Sequence, residues 1–258
     1  MSLIKARVPT EAGHAAHRNV DPCGEIYNLF RSSRFVAIGD DYLSPVAPEF
    51  VSRLLSRKES PITHLAIELP ARMQQGSGLT ITDSLINDVS RIYPGRNGAM
   101  ASVLRSAQAS GISAIFFHMR SAFEHDTDRE ARMAELIHSL SAGENARVLV
   151  YCGIPRAGLE RKTRHHIMPI WKMSAAQPLI SHLSRIEGKK VPSLILLTGA
   201  GYAAEAATPL LSVRRIEVTE KHPAGERKHT YSGAIYVPGA SFLQHAKEDL
   251  QNLRQTQA

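Results

Sequence analysis

Three shortages narrow the reading of this 258-residue chain before any motif is considered. It has two cysteines, Cys23 and Cys152, far apart and outside any CxxC or Cys/His spacing. That excludes a disulfide-stapled scaffold and a zinc-ribbon framework, and it fits a reduced compartment. Aromatic residues are 6% of the chain and scattered, so no row of stacking platforms alternates with basic side chains. Nucleic acid is therefore not the expected partner. Apolar runs are short: VPSLILL at 191–197 falls far below the roughly 20 residues that a membrane helix needs. No membrane span is expected. The amino end also lacks a basic region followed by an apolar core, so no Sec signal is read there.

What remains is 43% hydrophobic residues, 21% charged residues and a net charge of +7. The length and apolar fraction suit one α/β domain with a full core. The basic balance favours acidic partners without naming one. Residues 1–33 differ from the rest: MSLIKARVPTEAGHAAHRNV has no acid before Glu11 and little periodicity. They are expected to form a flexible leader, with a secretion signal as the sharper reading of the same composition.

From residue 34 short β-branched runs alternate with amphipathic segments. This predicts a mainly parallel central sheet flanked by helices, as one domain over 34–254. Strands are expected at Phe35–Ile38, His64–Leu69, Ser113–Phe117, Arg147–Tyr151, Ser193–Leu197, Arg214–Val218 and Gly233–Val237. Ser44 and Pro45 open a helix carrying Phe50, Val51, Leu54 and Leu55. Met133, Leu136, Ile137 and Leu140 stand at helical spacing, as do Ile180, Leu183 and Ile186 before Gly188. A last helix is expected over Leu243–Leu253. The stretch 71–100, rich in Gly, Ser, Asn and Gln, reads as an insertion or lid with a short helix near Ser84–Tyr93.

Open parallel sheets place their chemistry at the carboxyl ends of the strands. There the chain offers Asp40, Asp41 and Tyr42 after one strand, Glu68 after the next, His118 and Arg120 after a third, and Arg156 after a fourth. Arg129 opens the helix that carries Met133. A carboxylate at such an end acts as a base or a helix cap, and a histidine is the side chain that exchanges a proton near neutral pH. The expected catalytic set is Glu68, Arg129, His118, Asp40 and Asp41. Tyr42, Arg156 and Arg120 are the expected binding residues, and no residue set is assigned to a metal. His125, among Glu124, Asp126 and Asp128, lacks metal-site spacing and reads as a solvated loop. RKTRHH at 161–166 reads as a basic loop for a phosphate or an acidic partner. Gly199-Ala200-Gly201 with Ala204 follows a strand as a dinucleotide fingerprint does, but it comes late in the chain and Pro209 interrupts the helix.

In order and spacing, VAIGDDY at 36–42, HLAIELPA at 64–71, REARMAELI at 129–137 and VLVYCGIPRA at 148–157 resemble the superfamily joining ChaN-like haem-binding lipoproteins, erythromycin esterases and Tiki (TraB) metalloproteases. PLISHLSRIEGKKVPSLILLTG and YSGAIYVPGAS resemble its closing elements. The resemblance puts Glu68 on the family glutamate, Arg129 on the family arginine and Asp40 on the glutamate of a GExH motif. Tyr42 and Arg156 stand where the two family histidines belong, and an arginine can serve neither as base nor as ligand. The implied pocket is hydrolase-like but degenerate or repurposed, with Glu68 or a recruited His118 activating water while Arg129 and Arg156 steady a developing anion.

With a polar leader and altered site residues, the chain is similar to the type III secreted Hop effectors of plant-pathogenic pseudomonads that have this fold. That resemblance implies delivery into the host cytosol, host plant proteins as partners, and immune cell death through a TIR-type receptor pathway. Two alternatives stand beside it. One is a haem- or small-ligand-binding protein, with a divalent metal or haem as cofactor and Tyr42 or Tyr151 as a haem ligand. The other is an active esterase- or protease-like hydrolase.

Overall fold

The computed structural model describes residues 3–7, 21–40, 46–73, 80–92, 97–119, 128–165, 172–173, 177–198, 210–212, 216–222 and 225–237. Their strands are β1 (Leu3–Arg7), β2 (Phe35–Asp40), β3 (His64–Pro70), β4 (Ser113–His118), β5 (Val148–Gly153), β6 (Glu160–His165), β7 (Lys172–Met173), β8 (Ser193–Thr198), β9 (Leu210–Ser212), β10 (Ile216–His222), β11 (Gly225–Tyr231) and β12 (Gly233–Val237). The helices are α1 (Pro22–Leu29), α2 (Val46–Ser56), α3 (Asp83–Ile92), α4 (Asn97–Ala109), α5 (Arg129–Leu140), α6 (Ile154–Ala157) and α7 (Leu179–Ile186).

The central sheet has the order β4-β3-β5-β2-β8-β12-β9, parallel except for the antiparallel β9. The α/β class expected from the alternating periods is the one observed. Its strands are apolar almost throughout because helices cover both faces: every position of β2 and β5 is buried, and β3 and β4 are only partly covered at His64, Glu68, Ser113 and His118. Side chains still alternate. Val36, Ile38, Leu65, Ile67, Leu149 and Tyr151 pack with α1, α2, α3 and α4. Phe35, Ala37, Ala66, Val148, Val150 and Cys152 pack with α5, α6 and α7.

Both helical layers follow from sequence. In α2 the spacing of Phe50, Val51, Leu54 and Leu55 turns one stripe inward, and all four are buried. Each contributes about 1.5–3 kcal/mol by leaving water. In α5 the buried stripe is Glu130, Met133, Ala134 and Ile137, while Leu136 and Leu140 are only partly covered. Gly188 follows α7 with φ of 67°, a conformation that a side chain disfavours, and the helix ends there. Ile186 departs from its expected place in that helix's stripe: it is exposed.

Several boundaries differ from expectation. Packing begins before residue 34: Pro22 and the cap Asp21, which accepts from the N–H groups of Cys23 and Gly24, start α1. Ile26, Tyr27 and Phe30 of that region are core residues. Within the expected leader, 3–7 forms β1, paired with β10. The 71–100 stretch includes α3, where Ile86 and Val89 stand one turn apart and bury against the core, as does Ile81 just before the helix. RKTRH, expected in a loop, is strand β6. With β1, β7, β10 and β11 it builds a second sheet, antiparallel throughout, in the order β1-β10-β11-β6-β7. Of the strand expected over Arg214–Val218, the described residues from Ile216 belong to this second sheet, as part of β10. The expected helix over 243–253, the capping pair Ser44 and Pro45, and the Gly199-Ala200-Gly201 segment lie outside the described residues. No helix among the described residues is long and apolar enough to cross a membrane.

Candidate functional site

The carboxyl ends of β2, β3, β4 and β5 lie side by side in the sheet, and the polar residues expected there separate into two groups. The alternation that turns Val36 and Ile38 toward α2 carries Asp40 to the same side. There the Tyr151 hydroxyl donates a short hydrogen bond to Asp40 Oδ2. Asp40 is 1% exposed and Tyr151 fully buried. Alternation on β3 sends Glu68, like Ala66, to the opposite face, toward α5 and α6. The expected grouping of Asp40 and Glu68 around one pocket therefore divides across the sheet.

Glu68 anchors the second group. Its Oε2 accepts the Gly153 N–H at 2.8 Å, where β5 turns into α6. Its Oε1 accepts from the Arg156 guanidinium at 2.6 Å and lies 3.5 Å from His118 Nδ1. Arg156 Nε is in turn 3.5 Å from Glu130 Oε1, and the same oxygen meets the Arg129 guanidinium at 3.4 Å. Arg129, Glu130, Arg156 and Glu68 thus form one line of alternating charge from α5 across α6, and it ends against His118 on β4.

The electrostatics of Glu68 are a contest. Burial pushes its carboxyl upward, but His118, the Arg156 charge and the Gly153 N–H act the other way and leave it below the usual carboxylate range. It is held as an anion. Cys152, its neighbour on the same face, has its thiol pushed well up by burial first and by the Glu68 charge second, which makes it an inert core side chain. His118 and Arg129, at the two ends of the line, are its reachable members. The His118 Nδ1 is buried against Glu68, yet the side chain is 29% exposed. A ligand therefore approaches through the other edge of the ring.

Two backbone features bring these groups together. Gly39 sits where a Cβ would come within 2.7 Å of Ala157 Cβ and 3.4 Å of Ile154 Cα. The missing side chain lets α6, and so Arg156, close on the sheet. Gly153 caps α6 with Pro155 in the first turn, which lets the 2.8 Å bond to Glu68 form from the chain reversal itself. Glu130 was not singled out in the sequence. Its signal was its place on the apolar stripe one turn before Met133, which puts an acid in the core. Asp41, Tyr42 and Arg120 lie outside the described residues, as does His125.

A metal or haem does not fit these residues. Both oxygens of Glu68 already hold donors, one of them the cationic Arg156. The Tyr151 hydroxyl is committed to Asp40 inside the core. Among the described residues no group of three or more His, Cys, Asp or Glu side chains is arranged to hold an ion.

What the fold and site define is a parallel α/β protein with a charged, histidine-ended site at the carboxyl edge of its sheet. Among solved structures, the chain is similar to the type III effector HopBA1, with a TM-score of 0.48 and 11% identity over 85% of this chain and 91% of that one. It is also similar to a chain from a structure of bacterial protein toxins, with a TM-score of 0.42 and 14% identity over 69% of this chain and 36% of that one. No protein-family model matches the sequence. No curated protein matches it either.

Proposed function

We propose that this protein is an effector delivered by a type III system into plant cells, where it provokes immune cell death, and that its sheet-edge site carries out hydrolysis with His118 as the base. The order of sequence motifs and the polar amino end support the effector half of the reading. Host plant proteins, including a TIR-type receptor pathway, are its partners on that reading.

The observation that carries the chemical half is the His118–Glu68–Arg156 line. Glu68 is spent on Gly153 and Arg156, so it orients His118 and does not itself attack or deprotonate. With Nδ1 turned to the carboxylate, Nε2 of His118 takes a proton from water as the water oxygen bonds to the electrophilic centre. The bond to the leaving group then breaks, and the imidazolium returns that proton to it. The charge that develops on the attacked group is met by Arg129, whose side chain is 31% exposed at the start of α5.

The test is transient expression of wild type, His118→Gln and Glu68→Gln in leaf tissue, with cell death scored at matched protein levels. Loss of death in both variants supports the reading. Death retained in both overturns the chemical half and points to surface recognition. No death with the wild type in several host accessions overturns the effector half.

A further inference from the structure

Among the described residues, three guanidinium groups gather behind the site, and one of them, Arg129, is 31% exposed. Arg156 is committed to Glu68 and Glu130. Arg129 leans on the same Glu130 oxygen at 3.4 Å, the outer limit of a useful contact, and its Nε is buried with no acceptor among the described residues. A third guanidinium enters from the second sheet. Arg161 on β6 donates to the Pro155 carbonyl at 3.1 Å, one residue from Arg156, and its Nε is likewise buried with no acceptor among the described residues. Burial first, then repulsion by Arg227 and Arg156, push the Arg161 guanidinium down against the pull of Glu130, so it lies in the same field. Among the described residues, Glu68 and Glu130 are the carboxylates paired with Arg129 and Arg156, and Arg161 lies beside them.

Such an arrangement is costly without a further anion. Arginine presents N–H groups in a planar fork, and a buried N–H without an acceptor costs about 1–3 kcal/mol. The geometry points to a substrate bearing a compact oxyanion, a phosphate or a carboxylate, held by Arg129 and Arg161 beside the His118 ring. This deepens the hydrolytic reading above and rests on it for the word substrate; the binding itself does not depend on catalysis.

The test uses the whole purified protein. Arginine Nε–H signals are followed by 1H–15N NMR while inorganic phosphate, acetate or chloride is added at constant ionic strength. Saturable shifts of Arg129 and Arg161 with phosphate or acetate, absent with chloride, are expected, and the stronger of the two anions names the source. By calorimetry, Arg129→Gln should weaken that anion at least tenfold and Arg161→Gln likewise. His118→Gln should leave it unchanged. Should Arg161→Gln fail to fold, the wild-type titration and Arg129→Gln decide alone. Shifts no larger with phosphate or acetate than with chloride would overturn the inference while leaving His118 catalysis standing. Saturable binding together with a His118→Gln variant of full activity in leaf tissue would do the reverse, sinking the catalytic reading and keeping the anion site.

Discussion

Asp40 and Glu68 are two carboxylates at neighbouring strand ends of one sheet, yet they have opposite surroundings. Asp40 is sealed against the α2 side with a tyrosine hydroxyl for company. Glu68 faces the α5 and α6 side, held by a guanidinium and a backbone N–H, with an accessible imidazole beside it. The difference arises from parity alone: one residue of shift in a strand exchanges the two faces. A buried polar group on the closed face stiffens the strand ends. On the other face a charged line ends at a side chain that solvent and ligand can reach.

The comparison breaks most visibly at Glu68. Glu68→Ala leaves Arg156 without its closest anion in a largely buried setting and is expected to cost about 3 kcal/mol in chemical denaturation. Tyr151→Phe tests the closed face: Asp40 loses a buried donor, for about 2 kcal/mol, while cell death at matched protein levels stays as in the wild type. A loss of activity there would mean that both faces belong to one site. Gly39→Ala forces Cβ into Ala157 and should cost about 1–3 kcal/mol, with Arg156 displaced from Glu68 as α6 retreats. A structure of that variant with the ion pair intact would refute the role given to Gly39.

Acid sharpens the same contrast. The Glu68 carboxyl is lowered in the folded protein relative to an unfolded carboxylate near 4.3. Its contribution to stability is therefore fully present above that value and fades as pH falls through the lower folded pKa. The stability gap between wild type and Glu68→Gln should be present at about pH 5 and shrink below about 4. A gap unchanged down to pH 2 would show that the ionised form of Glu68 gains nothing from folding.

The parallel sheet was legible because its strands are short, β-branched and regularly spaced. Which face each strand-end acid occupies was not. In a strand buried on both sides, such as FVAIGD, polar alternation is absent and parity leaves no trace. The second sheet escaped for the opposite reason. ERKTRH and GERKHTY carry charges at both parities, which gives no strand period; RKTRHH reads as a loop for that reason, and their antiparallel register makes both segments strands. Glu68, His118, Arg129 and Arg156 could each be picked out from their places at element ends. Their linkage through Glu130 depends on a tertiary contact between α5 and α6 that no local pattern encodes.

The smallest expected change in stability is also the one that best separates the two faces. His118 lies at the end of β4, partly exposed, and its contact with Glu68 is 3.5 Å, too long for a strong hydrogen bond. Removing it leaves Glu68 with Arg156 and Gly153, so no buried charge is stranded. His118→Gln should therefore shift stability by no more than about 0.5 kcal/mol. If the open face is the working one, this nearly silent substitution abolishes cell death while the costlier Tyr151→Phe spares it. Activity would then run opposite to stability, an ordering that general destabilisation cannot produce. If activity instead falls in step with stability across the variants, the line of charges is a structural clamp and the site lies elsewhere.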